Sequence, residues 1–171
     1  MSSDFPAVFA ELREILRKHA AGMNVVADTP SDFTITSPAV ANGKPLWFGR
    51  VVVTKTAVTY HLFPLYFNPK LQAAIPAELL ARKQGKTCFN FRRADPDLFA
   101  RLDTLTGQAR EAFERHGLLN PGPVAPETFD RALRAAGEDP EALAELRKSK
   151  GASAARKRAV TLRKKRSASR P

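Results

Sequence analysis

Cysteine is all but missing from this sequence: Cys88 stands alone among 171 residues. A single cysteine excludes an intramolecular disulfide and any metal centre built on paired thiolates. Histidine is scarce too, with only His19, His61 and His116 and no His-x-x-x-His pair. Dense carboxylate loops, phosphate-cradling glycine loops and dinucleotide fingerprints are absent, and Gly117, Gly122 and Gly137 stand isolated. No apolar run approaches the roughly 18 residues of a membrane-spanning helix, so membrane insertion is not expected. The start, Met1-Ser2-Ser3-Asp4-Phe5-Pro6, has neither the basic stretch nor the apolar block of a secretion signal. The expected location is the cytoplasm.

Acids are missing from one end. No Asp or Glu follows Glu145, whereas 11 of the 28 Lys and Arg fall at or after Arg147. The 17 basic residues before that point match the 17 acids, so the whole net charge of +11 resides in the last 25 residues. Beyond Ser149 the chain is mostly Lys, Arg, Ala and Ser, with two β-branched residues and no aromatic, the composition of a disordered, solvated tail over 149–171. Such a polycation exchanges condensed counterions for phosphate contacts. Arg156, Lys157, Arg158, Arg163, Lys164, Lys165 and Arg166 are therefore nucleic-acid candidates. Without an aromatic to stack on bases, that binding would be non-specific and salt-sensitive. The bland alternative is a solubilising appendage.

What is present is enough for one core: 43% hydrophobic residues, 11 of the chain's residues being Phe. Phe5, Phe9, Leu12, Leu16 and Ala20, widened by Val8 and Ile15, predict an amphipathic helix over 4–20, capped by Ser3 or Asp4 and ended by Gly22. A polar link through Asp28, Pro30 and Ser31 follows. The period then changes to that of strands: Phe33–Thr36, an Asn42-Gly43 hairpin turn, Leu46–Thr54 and Ala57–Phe63 predict a three-stranded meander. The run Val51–Val53 predicts a middle strand covered on both faces. An irregular insert with short helical pieces spans 64–84, and Thr87–Arg92 is a fourth strand. Asp95-Pro96 caps the longest helix, about 96–116, with Leu98, Leu102, Leu105, Ala109 and Phe113 as its stripe and Gly117 as its stop. Asn120–Pro126 has linker composition, and two short helical pieces over 127–148 precede the tail. The expectation is an α+β two-layer sandwich. An antiparallel sheet of at least four strands carries the first and last long helices on one face, and the insert covers part of the other.

Gly85-Lys86-Thr87-Cys88-Phe89-Asn90-Phe91 before an Asp-Pro-capped helix resembles the closing segment of the YdhG-like bacterial domains of unknown function. The Pro38…Asn42-Gly43-Lys44 turn and Tyr66-Phe67-Asn68-Pro69 are similar as well, so the resemblance covers roughly residues 4–118. It implies a frataxin-like sandwich and a family mostly without assigned activity, some of whose relatives are regarded as iron chaperones. Iron as a ligand enters through that resemblance alone. The matching carboxylates would be Asp4, Glu11 and Glu14 on the first helix, interspersed with Arg13, Arg17 and Lys18, with Asp28 and Asp32 adding to them.

Strand alternation sets Cys88 and Asn90 on one face and Phe89 and Phe91 on the other. If the Phe pair packs under the helices, Cys88 and Asn90 face the insert and form a recess with Tyr60 or His61, Trp47 or Phe48, and Tyr66. A partly apolar recess with a few polar groups is the usual form of a small-ligand site. Read without function, Cys88 is a small buried hydrophobe and Asn90 a satisfied amide. A thiol nucleophile would need a histidine. His19 and His116 are explained by the helix C-termini they follow, and no oxyanion-hole glycine pattern lies nearby, so no catalytic residue is assigned. The function expected is a non-catalytic binding module of unassigned ligand, with a metal-handling version. The alternative is a nucleic-acid-associated protein anchored by its tail, and no protein partner is legible.

Overall fold

A computed structural model describes residues 4–125 except Asn42 and Phe67. The helical pieces over 127–148, the tail and its seven nucleic-acid candidates lie outside the described residues.

Helix α1 (Phe5–Lys18) begins where Asp4 accepts a hydrogen bond from the Ala7 amide, with proline in its first turn. His19 is its C-cap, so the helix stops short of Gly22. Its stripe of Val8, Phe9, Leu12 and Leu16 is buried. What reads as a polar link then yields an edge strand, β1 (Asn24–Asp28), before the long hairpin β2 (Asp32–Ala41) and β3 (Lys44–Val53). Gly43 turns that hairpin at φ +74°, a conformation that β-carbon-bearing residues rarely adopt. Strand β4 (Val58–Leu62) completes the meander, and a 3-10 turn (Phe63–Tyr66) leads into α2 (Pro69–Ala73) and α3 (Ala77–Leu80). Then come the short hairpin β5 (Lys83–Gln84) and β6 (Cys88–Phe91), helix α4 (Pro96–Arg115) and β7 (Gly122–Pro123). The Asp95 carboxylate caps α4 by accepting from the Leu98 amide at 3.1 Å.

The sheet runs β1-β2-β3-β4-β6-β5, all neighbours antiparallel. Strand β7 joins β2 in parallel, Ala39 opposite Gly122, on the same edge that β1 occupies further back. Residues 119–125, a linker by composition, are thus drawn onto the sheet: Val124 donates to the Val40 carbonyl at 2.8 Å, and Leu119 and Val124 pack against the core.

Both long helices lie on one face. Phe48 meets Phe113 edge-on at 5.3 Å, Phe91 meets Phe99 at 5.2 Å, and Leu12 and Leu16 reach the same core. Gly49 is required by this packing: a Cβ there would lie 2.5 Å from a Leu16 methyl. Two expectations are corrected. The insert does not cover the opposite face. Its buried Leu71, Ile75 and Leu79 join the common core, and its helices pack against α4. The middle strand is not sealed on both sides either, because Val51 is buried while Val52 and Val53 are only partly so and Trp47 is exposed. A β-bulge at Phe48 accounts for the break in alternation: Ile35 pairs with Gly49 and Thr36 with Trp47, leaving the intervening Phe48 free to turn into the core. Among the described residues no helix is long and apolar enough to cross a membrane.

Candidate functional site

The strand face turned away from the helices follows from register alone. Thr34 stands opposite Arg50, Arg50 opposite His61, His61 opposite Cys88 and Cys88 opposite Gln84, one polar row across five strands. A second row runs Asp32, Val52, Thr59, Asn90. Residues directly opposite on one face are close enough for their side chains to interact, as the pairs His61–Cys88 and Thr59–Asn90 do, and diagonal neighbours join in.

The Asp32 carboxylate receives Arg50 in a two-point pair, 3.1 Å from Nε and 2.5 Å from a terminal nitrogen, and also accepts from the Thr34 hydroxyl at 2.7 Å. The Arg50 hydrogen bonds hold the Asp32 carboxyl below its ordinary value, against the opposing pull of burial, and Asp32 in turn raises Arg50. Burial lowers the His61 imidazole, and the nearby Arg50 charge lowers it further. Its Nδ1 lies 2.8 Å from Cys88 Sγ. A neutral imidazole with its proton on Nε2 accepts the S–H there. The Thr59 hydroxyl donates to Asn90 Oδ1 at 2.7 Å, and Asn90 Nδ2 donates to Gln84 Oε1 at 2.6 Å. Trp47, the one tryptophan of the chain, is 48% exposed on the same face as Arg50.

The recess expected from sequence is therefore resolved residue by residue. His61, Cys88, Asn90 and Trp47 share this face. Tyr60 does not: it is fully buried on the helix side, its hydroxyl 2.8 Å from Thr106 on α4, and burial raises its pKa. Phe48 is core as well, turned inward by the bulge. Tyr66 belongs to the insert, stacked on Phe63 with the Lys86 ammonium 5.2 Å from its ring centre. Sequence reasoning missed Arg50 and offered Asp32 only as a metal ligand. The available signal was a lone cation in mid-strand between Phe48 and Val52, which needs either solvent or a partner.

The carboxylates offered for metal are not brought together. Asp28 faces α1 and holds Arg13 and, at 3.1 Å, Arg17, both of which also lie over the Phe33 ring. Asp32 is on the opposite face with Arg50. Glu11 and Glu14 line a groove of about 600 Å³ between α1 and α4, with Ile15 and Phe99 among its apolar walls. Asp103 on that groove is bound by Lys18 and His19, each at 2.6 Å. Burial would raise the Asp103 carboxyl, but these two hydrogen bonds outweigh it and hold it low. Among the described residues no group of three His, Cys, Asp or Glu converges as a metal ion would need.

Chemically, the Cys88–His61 contact supplies a thiol and a proton acceptor. A nucleophile also needs preorganised donors for the charge it creates. The neighbours here spend their donors on one another: Thr59 on Asn90, Asn90 on Gln84, Arg50 on Asp32. No family model, curated protein or solved structure matches the chain.

Proposed function

We propose that residues 4–125 form a non-catalytic binding module that takes a small planar polar ligand on the strand face, against Trp47 and the His61–Cys88–Asn90 network. The exposure of Trp47 carries the reading: a large aromatic half in water, on the same strand face as Arg50 and His61, is costly to leave bare and well suited to stacking a ligand. His61 Nε2 and the remaining Asn90 and Gln84 amide hydrogens supply directional contacts. The order of α1, the meander, the insert, the β5–β6 hairpin and α4 supports a YdhG-like, frataxin-like sandwich. Iron handling forms no part of this proposal, because Asp28 and Asp32 each hold a guanidinium on opposite faces of the sheet.

Trp47 is also the reporter. We expect a member of a panel of nucleobases, aromatic carboxylates and amino acids to shift its fluorescence, and Asn90→Ala or His61→Ala to weaken that ligand about tenfold while lowering Tm by only a few degrees, about 1 kcal/mol of stability. A ligand that raises Tm yet leaves Trp47 emission unmoved, or binds both variants as tightly as the parent, would refute this siting.

A further inference from the structure

The charge balance of the body conceals a sorted distribution. Residues 82–93 hold Arg82, Lys83, Lys86, Arg92 and Arg93 and no acid. The fold makes this stretch the β5–β6 hairpin at the sheet edge, with Lys86, Arg92 and Arg93 exposed and Arg82 and Lys83 partly so. Arg82 is joined to Asn90 across the hairpin, its carbonyl accepting from the Asn90 amide at 2.9 Å, which sets it next to the strand end that leads into Arg92.

Elsewhere five cations meet acids: Arg13 and Arg17 with Asp28, Lys18 with Asp103, Arg50 with Asp32, Arg101 with Glu78. Lys44, Lys55, Lys70, Arg110 and Arg115, without an ion pair among the described residues, are scattered along the chain and not gathered in one stretch. Among the described residues none of the five edge cations has a carboxylate within ion-pair distance. Of the acids nearest in sequence, Glu78 is paired with Arg101 at 3.2 Å, Asp95 caps α4, and Asp97 lies in the first turn of that helix, outside ion-pair distance of the five. Charge on an edge strand also guards against strand addition. That role asks for cations on β5, whereas Lys86, Arg92 and Arg93 lie beyond the paired residues of either strand.

We propose that this edge is a second nucleic-acid contact, binding the phosphate backbone of a single strand independently of the basic C-terminal tail. Five cations without a carboxylate partner, within 12 residues of a rigid hairpin, present a fixed array of positive charge. A polyanion gains counterion-release entropy for each phosphate it has neutralised there. A folded array loses less freedom on binding than a flexible chain would, so the edge can fix the position of the strand it holds. The inference does not depend on what stacks against Trp47.

The test uses the full chain and a single-stranded oligothymidine, with affinity followed against salt. We expect Lys83→Gln/Lys86→Gln/Arg92→Gln to weaken binding at least tenfold at low salt and to reduce the log–log salt slope by about 2, at roughly 0.7 for each phosphate left without its cation. An isocharge control, Lys44→Gln/Lys70→Gln/Arg115→Gln, should change the slope little. Tm and Trp47 emission verify folding in both, and Lys86→Gln/Arg92→Gln alone should show a smaller drop of the same kind. A parental slope in the edge variant overturns the proposal, and so does an equal loss in the control. Loss confined to anionic phosphatidylserine vesicles, with oligothymidine binding intact, overturns it as well.

Discussion

Tyr60 and His61 are neighbours on β4 and belong to different chemistries. Tyr60 turns to the helices, where it is fully buried and its one polar atom is answered by Thr106, itself donating to the Leu102 carbonyl at 2.7 Å. His61 turns the other way, into a row of charged and polar side chains that answer one another across strands. Phe89 and Asn90 repeat the contrast on β6, and Val51 and Arg50 on β3. The helix side gains stability from removing apolar area from water, which is large and additive over many contacts. The opposite side gains only the net worth of hydrogen bonds exchanged with water, about 1 kcal/mol each. Stability therefore lives mainly on one side of the sheet.

The sharpest way to break this contrast is a pair of substitutions one residue apart. Phe89→Ala should cost about 3–5 kcal/mol of unfolding free energy, and Asn90→Ala only about 1. Chemical denaturation of both variants measures the difference, and equal losses would mean that the polar face is structural after all. Next in size is Gly49→Ala, which drives a methyl into a Leu16 side chain with no room to retreat. We expect a loss of about 1–3 kcal/mol, with Leu16→Ala in the same chain giving a combined effect smaller than the sum of the two. Strict additivity would show that the close approach is not the cause.

The smallest effect concerns pH. His61 is depressed in the folded chain, so the unfolded chain takes up its proton first as pH falls through about 6.5. Its contribution to stability is full above that value and declines below it, until the folded imidazole is itself protonated. Asp32, also depressed, adds a loss of the same sign at lower pH, below about 4. His61→Gln should flatten the Tm profile between pH 7 and 5 and leave the steeper acid limb in place. A profile unchanged by that substitution would detach His61 from the network.

Much of the stable side was legible. Helical spacing found α1 and α4, Asp95-Pro96 marked the start of α4, and alternation set Phe89 and Phe91 together on one face, which proves to be the buried one. The edge strands were not legible, for a physical reason: β5 and β7 are two residues each, and Gly122-Pro123 has no strand propensity of its own, so tertiary pairing alone creates them. Strand β1 carries Val25 and Val26 more than half exposed, with no buried face to impose a period. For the site, alternation grouped Cys88 with Asn90. Choosing His61 over Tyr60 and Trp47 over Phe48 required the register and the bulge, which depend on residues far apart in sequence.

The clasp of the chain's later residues onto β2 has a bearing on synthesis. The Ser37 hydroxyl bonds the Leu118 carbonyl, and β7 lies along Ala39 and Val40, so β2 waits for partners made some 80 residues later. As the polypeptide leaves the ribosome, the meander can form early, but that stretch of its border stays unpaired until residue 124 has cleared the exit tunnel. The cationic residues beyond Glu145 are made later still, and their synthesis keeps the chain tethered to the ribosome through the interval in which the domain can close.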